Sequence, residues 1–156
     1  MANELEVGDL APDFALPTDR GGHARLADFK GKAVVLYFYP KDDTSGCTAE
    51  AIAFSGLKAE FEAAGAVVVG VSPDSAASHD KFKKKHDLAV ALAADPERAA
   101  IEAYGVWKEK SMYGRKYFGV ERSTFLIDRR GRIAKIWRKV KVPGHAEEVL
   151  AAAKAL

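Results

Sequence analysis

Two apolar runs set the terms of this fold. Ala33-Val34-Val35-Leu36-Tyr37-Phe38-Tyr39 stops at Pro40, and Ala66-Val67-Val68-Val69-Gly70-Val71 stops at Ser72-Pro73. Neither run alternates with polar residues, so each reads as a strand buried on both faces, the pattern of parallel strands covered by helices. Parallel neighbours need a crossover connection, and the residues between the runs supply one. Across residues 47–64, Phe54, Leu57 and Phe61 recur at helical spacings, and Gly65 stands at the first position beyond the helix. The two runs therefore predict a strand–helix–strand unit.

Downstream the alternation continues and then changes. Residues 75–86 read as a helix anchored by Phe82, residues 89–93 as a weak strand, and residues 97–104 as a short helix opened by Pro96. Residues 123–127 and 133–137 flank Asp128-Arg129-Arg130-Gly131-Arg132 and predict a β-hairpin. Residues 146–156 form an alanine-rich closing helix, and upstream residues 13–16 can pair with 23–26 across Asp19-Arg20-Gly21-Gly22. The expected architecture is α/β: a mixed central sheet with helices on both faces and an N-terminal β-hairpin extension. No repeat, low-complexity tract or linker interrupts the chain, so residues 1–156 read as one domain.

Charge narrows the function classes. Lys plus Arg number 24 against 22 for Asp plus Glu, a net +2, which is no basis for a nucleic-acid binder. Met1-Ala2-Asn3-Glu4-Leu5-Glu6 is acidic without an apolar run, so no signal peptide is expected. No stretch approaches the roughly 20 apolar residues of a membrane span. With its single cysteine, the chain fits a reducing, cytoplasmic setting.

That cysteine, Cys47, falls where the first run hands over to the helix, in Tyr39-Pro40-Lys41-Asp42-Asp43-Thr44-Ser45-Gly46-Cys47-Thr48. A free cysteine is most often a small buried hydrophobe. As a chemical group it is a nucleophile or redox centre, and only about 3% of a thiol with a pKa near 8.5 is ionised at pH 7. Lowering a thiol pKa to about 6 takes roughly 3.4 kcal/mol, while a helix N-terminus supplies about 0.3–1 kcal/mol, or ~2 in a partly buried site. A cation is needed. Lys41 is the local candidate and Arg122 the distant one. Glu50, in the first turn, opposes ionisation if it faces the sulfur and otherwise complements the helix dipole. Attack on a peroxide also builds charge on the departing oxygen, and donors near Thr44 and the N–H groups of Gly46 and Cys47 are placed to meet it.

Pro40-x-x-x-Thr44-x-x-Cys47 is similar to the active-site signature of the peroxiredoxins. The wider segment through Glu50-Ala51 resembles the bacterioferritin-comigratory, or PrxQ, branch. So do Gly8-Asp9-x-Ala11-Pro12-Asp13-Phe14, Tyr104-Gly105-Val106-Trp107, residues 119–128 and residues 144–150, in order along almost the whole chain. The resemblance implies a thioredoxin-like fold and thiol peroxidase activity without metal or organic cofactor. It assigns Cys47 as the peroxidatic cysteine, Thr44 as a hydrogen-bonding partner of the peroxide, Arg122 as its positioner and thiolate stabiliser, and Pro40 as a shield against water. The substrate-binding set is then Thr44, Gly46, Cys47 and Arg122. Many PrxQ proteins carry a resolving cysteine five residues after the peroxidatic one, where this chain has Ile52, and others carry it near Phe82 and Lys83. Ser45 also replaces a frequent proline. The chain therefore resembles a one-cysteine member, recycled by an external thiol such as thioredoxin, glutaredoxin or glutathione, and monomeric or weakly dimeric.

Other readings stand beside this one. In a redox sensor or chaperone-like binding protein, the oxidation state of Cys47 would control a partner interface. A cysteine hydrolase is a third, for which no histidine is placed as base. His23, His79, His86 and His145 lack partners at zinc spacing, so no metal site is expected. Lys83-Lys84-Lys85 reads as a solvated helix face. Trp107, Tyr113, Tyr117 and Phe118 form an aromatic-rich loop before Arg122, read as core packing, with a wall for an organic hydroperoxide as the alternative.

Overall fold

The structure, a computed structural model, describes residues 4–156. Met1, Ala2 and Asn3 of the acidic start lie outside the described residues. A central sheet carries the strand order β5-β4-β3-β8-β9. The first apolar run is β3 (Ala33–Phe38) and the second is β4 (Ala66–Ser72), paired in parallel from Ala33↔Ala66 to Phe38↔Val71. β5 (Ala91–Ala94) extends the parallel half beyond β4. On the other side β8 (Ser123–Ile127) runs antiparallel to β3, and β9 (Ile133–Trp137) antiparallel to β8. The mixed sheet expected from the sequence is present.

Alternation along β3 explains why the run is apolar throughout. Val35, Tyr37 and Tyr39 pack with Phe54, Phe61, Phe82, Val149 and Leu150 on one face. Val34, Leu36 and Phe38 pack with Phe14, Leu16, Ile101, Tyr104, Phe125 and Ile127 on the other. Helices α1 (Ser45–Gly56), α2 (Lys58–Ala63), α3 (Ala76–His86) and α5 (His145–Lys154) cover the first face; α4 (Ala99–Ala103) and the N-terminal segment cover the second. Gly70 lies opposite Tyr37, and a Cβ there would stand 2.6 Å from the tyrosine ring, so glycine is what admits that ring beside β4.

Several boundaries differ from expectation for identifiable reasons. The helix predicted over residues 47–64 starts earlier, at Ser45, and breaks at Leu57 into α1 and α2, while Gly65 at φ +77° ends it as expected. Pro96 does not open α4. Asp95 captures the N–H groups of Ala99 and Ile101 at 2.9 and 2.8 Å, and Arg98 at φ 63° is the residue before the first helical turn. The N-terminal pairing is shorter than expected: β1 (Ala15–Pro17) pairs with β2 (His23–Arg25). The aromatic stretch before Arg122 is not a loop, and of its four aromatics only Trp107 packs against the core. It is a second hairpin, β6 (Trp107–Met112) and β7 (Arg115–Val120), with Tyr113 at its tip 98% exposed and Phe118 59% exposed. The lysine run is not uniformly solvated, because Lys83 is mostly buried against Asp19 at 2.9 Å. No helix among the described residues is long and apolar enough to cross a membrane.

Candidate active site

Sheet register brings the site together. β3 ends where Pro40 has no N–H to continue the ladder, and the chain then turns into α1. Because β8 is antiparallel and Phe38 pairs with Ser123, the residue ahead of β8 stands level with the loop after β3. That residue is Arg122. Its Nη2 donates to Cys47 Sγ at 3.2 Å across 75 residues of sequence. Lys41, the local candidate cation, is exposed and makes no such bond; of the two candidates it is the distant guanidinium that reaches the sulfur.

The start of α1 leaves donors free. Thr44 precedes the helix in extended conformation and its side chain does not cap it. The first main-chain bond runs from Thr48 N to Thr44 O at 2.8 Å, so the N–H groups of Gly46 and Cys47 are among those a helix leaves unpaired at its start. The Thr44 hydroxyl instead donates to Lys41 O at 2.8 Å. Its proton is thus committed, and its lone pairs are what it offers to solvent. The glycine at position 46 has a steric reason: a Cβ there would stand 3.2 Å from Arg122 Nη2, so glycine lets the guanidinium close on the sulfur. Pro40 is half-buried beside this turn, and Cys47 is 1% exposed.

Glu50 lies one turn beyond Cys47 on the same helix face. Far from sitting at the surface as a partner of the helix dipole, it is 1% exposed, and its Oε1 accepts from Arg122 Nη1 at 2.6 Å. One guanidinium therefore bridges the sulfur and a carboxyl. Burial pushes the Glu50 carboxyl up from 4.5 to about 7, against the pull of Arg122. Its Oε2 has no hydrogen-bond partner among the described residues, nor has the buried Tyr37 hydroxyl. Burial and the Glu50 charge together hold that phenol well above its ordinary range. For Arg122, burial works against its charge, but Glu50 and Cys47 outweigh it and raise its pKa.

A second network, not visible in the sequence, fixes the loop from below. Asp42 is buried and accepts from Tyr39 Oη at 2.6 Å and Ser78 Oγ at 2.8 Å, with His79 Nδ1 2.7 Å away. His79 Nε2 donates to Ala93 O at 2.9 Å. Next to it, Asp43, at φ 61°, meets Lys85 and His86 at 2.6 and 2.7 Å. The loop that presents Thr44 and Cys47 is tied to α3 at two successive aspartates. His79 and His86 have carboxylate partners within the fold, and no cluster among the described residues gathers three or more metal-ligating side chains.

Residues 7–136 match the AhpC/TSA family, and the chain belongs to it. Family and fold together are those of a peroxiredoxin, a thiol-dependent peroxidase. Within the family it is similar to Peroxiredoxin Bcp of Bacillus subtilis, 52% identical over 146 residues, covering 94% of this chain and 93% of that protein. It is also similar to Peroxiredoxin Bcp of Xanthomonas campestris, at 47% identity over 97% of this chain and 94% of the relative. Among solved structures, a Xylella fastidiosa PrxQ superposes with a TM-score of 0.93 at 42% identity, covering 99% of this chain and 98% of that one. A Xanthomonas campestris bacterioferritin comigratory protein, described for its alkyl peroxide reduction activity, gives 0.87 at 47% identity, covering 91% and 90%.

Proposed function

We propose that this protein reduces hydrogen peroxide and alkyl hydroperoxides by a one-cysteine cycle centred on Cys47. The observation that carries this reading is the Arg122 guanidinium, donating at 3.2 Å to the sulfur of the chain's single cysteine. The Cys47 thiolate attacks the terminal oxygen of R–O–O–H. A sulfur–oxygen bond forms, the oxygen–oxygen bond breaks, and RO⁻ leaves and takes a proton to give water or an alcohol. Sulfur is oxidised by two electrons to sulfenic acid. With Cys47 nearly enclosed, only the terminal peroxide group has to reach it.

Each neighbour has a role that follows from its atoms. Thr44, with its own proton committed to Lys41 O, accepts the hydrogen bond of the peroxide O–H and so turns the terminal oxygen toward sulfur. Arg122 and the free N–H groups of Gly46 and Cys47 donate to the oxygens as charge moves onto them. Pro40 keeps water from the sulfur. An external thiol then condenses with the sulfenic acid, releasing water and leaving a mixed disulfide, and a second thiol frees Cys47. That route is required because the chain carries no second cysteine.

Steady-state peroxide consumption with a panel of thiols (glutathione with glutaredoxin, thioredoxin, and a small dithiol) tests the cycle. The wild type turns over many equivalents with at least one of them, and Cys47→Ser does not. Turnover by the serine variant above a few per cent of wild type would overturn Cys47 as the nucleophile.

A further inference from the structure

The peptide group between Lys41 and Asp42 is held at both edges. Its carbonyl oxygen accepts the Thr44 hydroxyl proton at 2.8 Å, and its N–H donates to Asp74 Oδ2, also at 2.8 Å. The C=O and N–H of a planar trans peptide point in opposite directions, so the two bonds together fix the rotation of this group about the chain. Were the plane to turn, the carbonyl would leave Thr44 and release the hydroxyl proton.

Asp74 is itself braced by the central sheet. It lies half-buried between β4 and α3, and the Ser72 hydroxyl at the end of β4 donates to the same Oδ2 at 2.7 Å. The Asp74 N–H returns to Ser72 Oγ at 3.2 Å, and Ser72 is fully buried. A hydrogen bond to an ionised acceptor is stronger than a neutral one, and it polarises the peptide so that the carbonyl at the far edge accepts more strongly. The neighbouring ties act elsewhere: Asp42 meets Tyr39, Ser78 and His79, and Asp43 meets Lys85 and His86, through their side chains. The bond from Asp74 falls on the peptide itself.

Building on the peroxidase reading, we propose that Asp74 is a positioning residue for Thr44. Through the 41–42 peptide it keeps the Thr44 proton on Lys41 O, and so leaves the hydroxyl lone pairs to receive the peroxide O–H. It touches neither the sulfur nor the substrate. An acid just ahead of α3 also favours the positive end of that helix, a purely structural role for the same residue. The two roles separate by reagent. Loss of helix stability bears on every reaction of Cys47, whereas a turned peptide bears on peroxide and spares a reagent that needs only the thiolate.

Second-order rate constants for peroxide attack and for iodoacetamide alkylation of Cys47 are therefore compared in wild type, Asp74→Ala, Asp74→Asn, Thr44→Val and the double variant of Asp74→Ala with Thr44→Val. Asp74→Ala slows peroxide attack about tenfold, the scale of a small misplacement, while alkylation and its pH profile stay at the wild-type values. The amide oxygen of Asp74→Asn can take both bonds now made to Oδ2, so this variant stays within about threefold of wild type. In the Thr44→Val background Asp74→Ala costs nothing further, because the group it positions is gone. Should the alanine variant not fold, Asp74→Ser, too short to reach the Asp42 N–H, reads the same split. Peroxide attack unchanged in Asp74→Ala, equal slowing of both reactions, a loss in Asp74→Asn as large as in Asp74→Ala, or losses that multiply in the double variant would each overturn the proposal. If Thr44→Val alone reacts with peroxide as fast as wild type, the role of Thr44 in the cycle fails and this proposal with it, a result distinguishable from the others in that single variant.

Discussion

Replacing Glu50 by glutamine removes a titrating carboxyl buried beside the reactive sulfur while keeping its shape and an oxygen for Arg122. The folded protein raises this carboxyl from 4.5 to about 7, because burial outweighs the ion pair at 2.6 Å. The native state then holds the proton more tightly than the unfolded chain does. The stability this contributes is fully present below pH 4.5 and is lost as pH rises through about 7. At roughly 1.4 kcal/mol per unit, the whole window is worth about 3 kcal/mol. Glutamine does not titrate, so Glu50→Gln lacks this slope whatever its offset from wild type. Urea unfolding of both proteins at a series of pH values from about 5 to 8 reads the difference. The variant should gain on wild type by roughly 2–3 kcal/mol across that range. A difference that stays flat with pH would mean that Arg122 keeps Glu50 ionised throughout, and the argument that desolvation exceeds the ion pair would be wrong.

Arg122→Ala removes the donor at 3.2 Å from sulfur, so both alkylation of Cys47 and peroxide attack should slow, the latter by about 10²–10³, measured as second-order rate constants. Gly46→Ala puts a methyl 3.2 Å from Nη2 and displaces a guanidinium already held on two sides; peroxide attack should fall about tenfold while the unfolding midpoint hardly moves. His79→Ala takes a fully buried ring away from Asp42 and Ala93 O, and chemical denaturation should show a loss of about 2–4 kcal/mol.

The central strands were legible because burial on both faces leaves a continuous apolar run, which few other settings produce. The β6–β7 hairpin was not. Its strands mix lysine, arginine and exposed aromatics without alternation, and its two-residue turn is Tyr113-Gly114, with φ of 54° and 78°. A turn with both central residues at positive φ is usually announced by Asn-Gly or Asp-Gly, and tyrosine gives no such sign. At the site, the single thiol and the shortfall of a helix dipole were enough to require a cation, but not to choose between Lys41 and Arg122. Glu50 could be placed on the face of Cys47, but helical spacing does not say whether that face meets solvent or Arg122. The tie between Asp42 and His79 spans 37 residues and depends on how α3 packs, so no local pattern announces it. Thr44 was expected near the peroxide; that its hydroxyl proton is already committed to Lys41 O follows only from the geometry of the turn.

The central claim is that Cys47 alone carries the oxidising equivalents and waits for an outside thiol. Intact-mass and peptide mass spectrometry after graded addition of hydrogen peroxide, with and without a small thiol, tests it most directly. Without thiol, the account predicts one added oxygen on Cys47, trapped by dimedone, then two and three oxygens as peroxide exceeds one equivalent. With thiol present, it predicts the mixed disulfide at Cys47 and recovery of the starting mass. Oxidation confined to other residues, or a Cys47 that remains an unmodified thiol under excess peroxide, would contradict it.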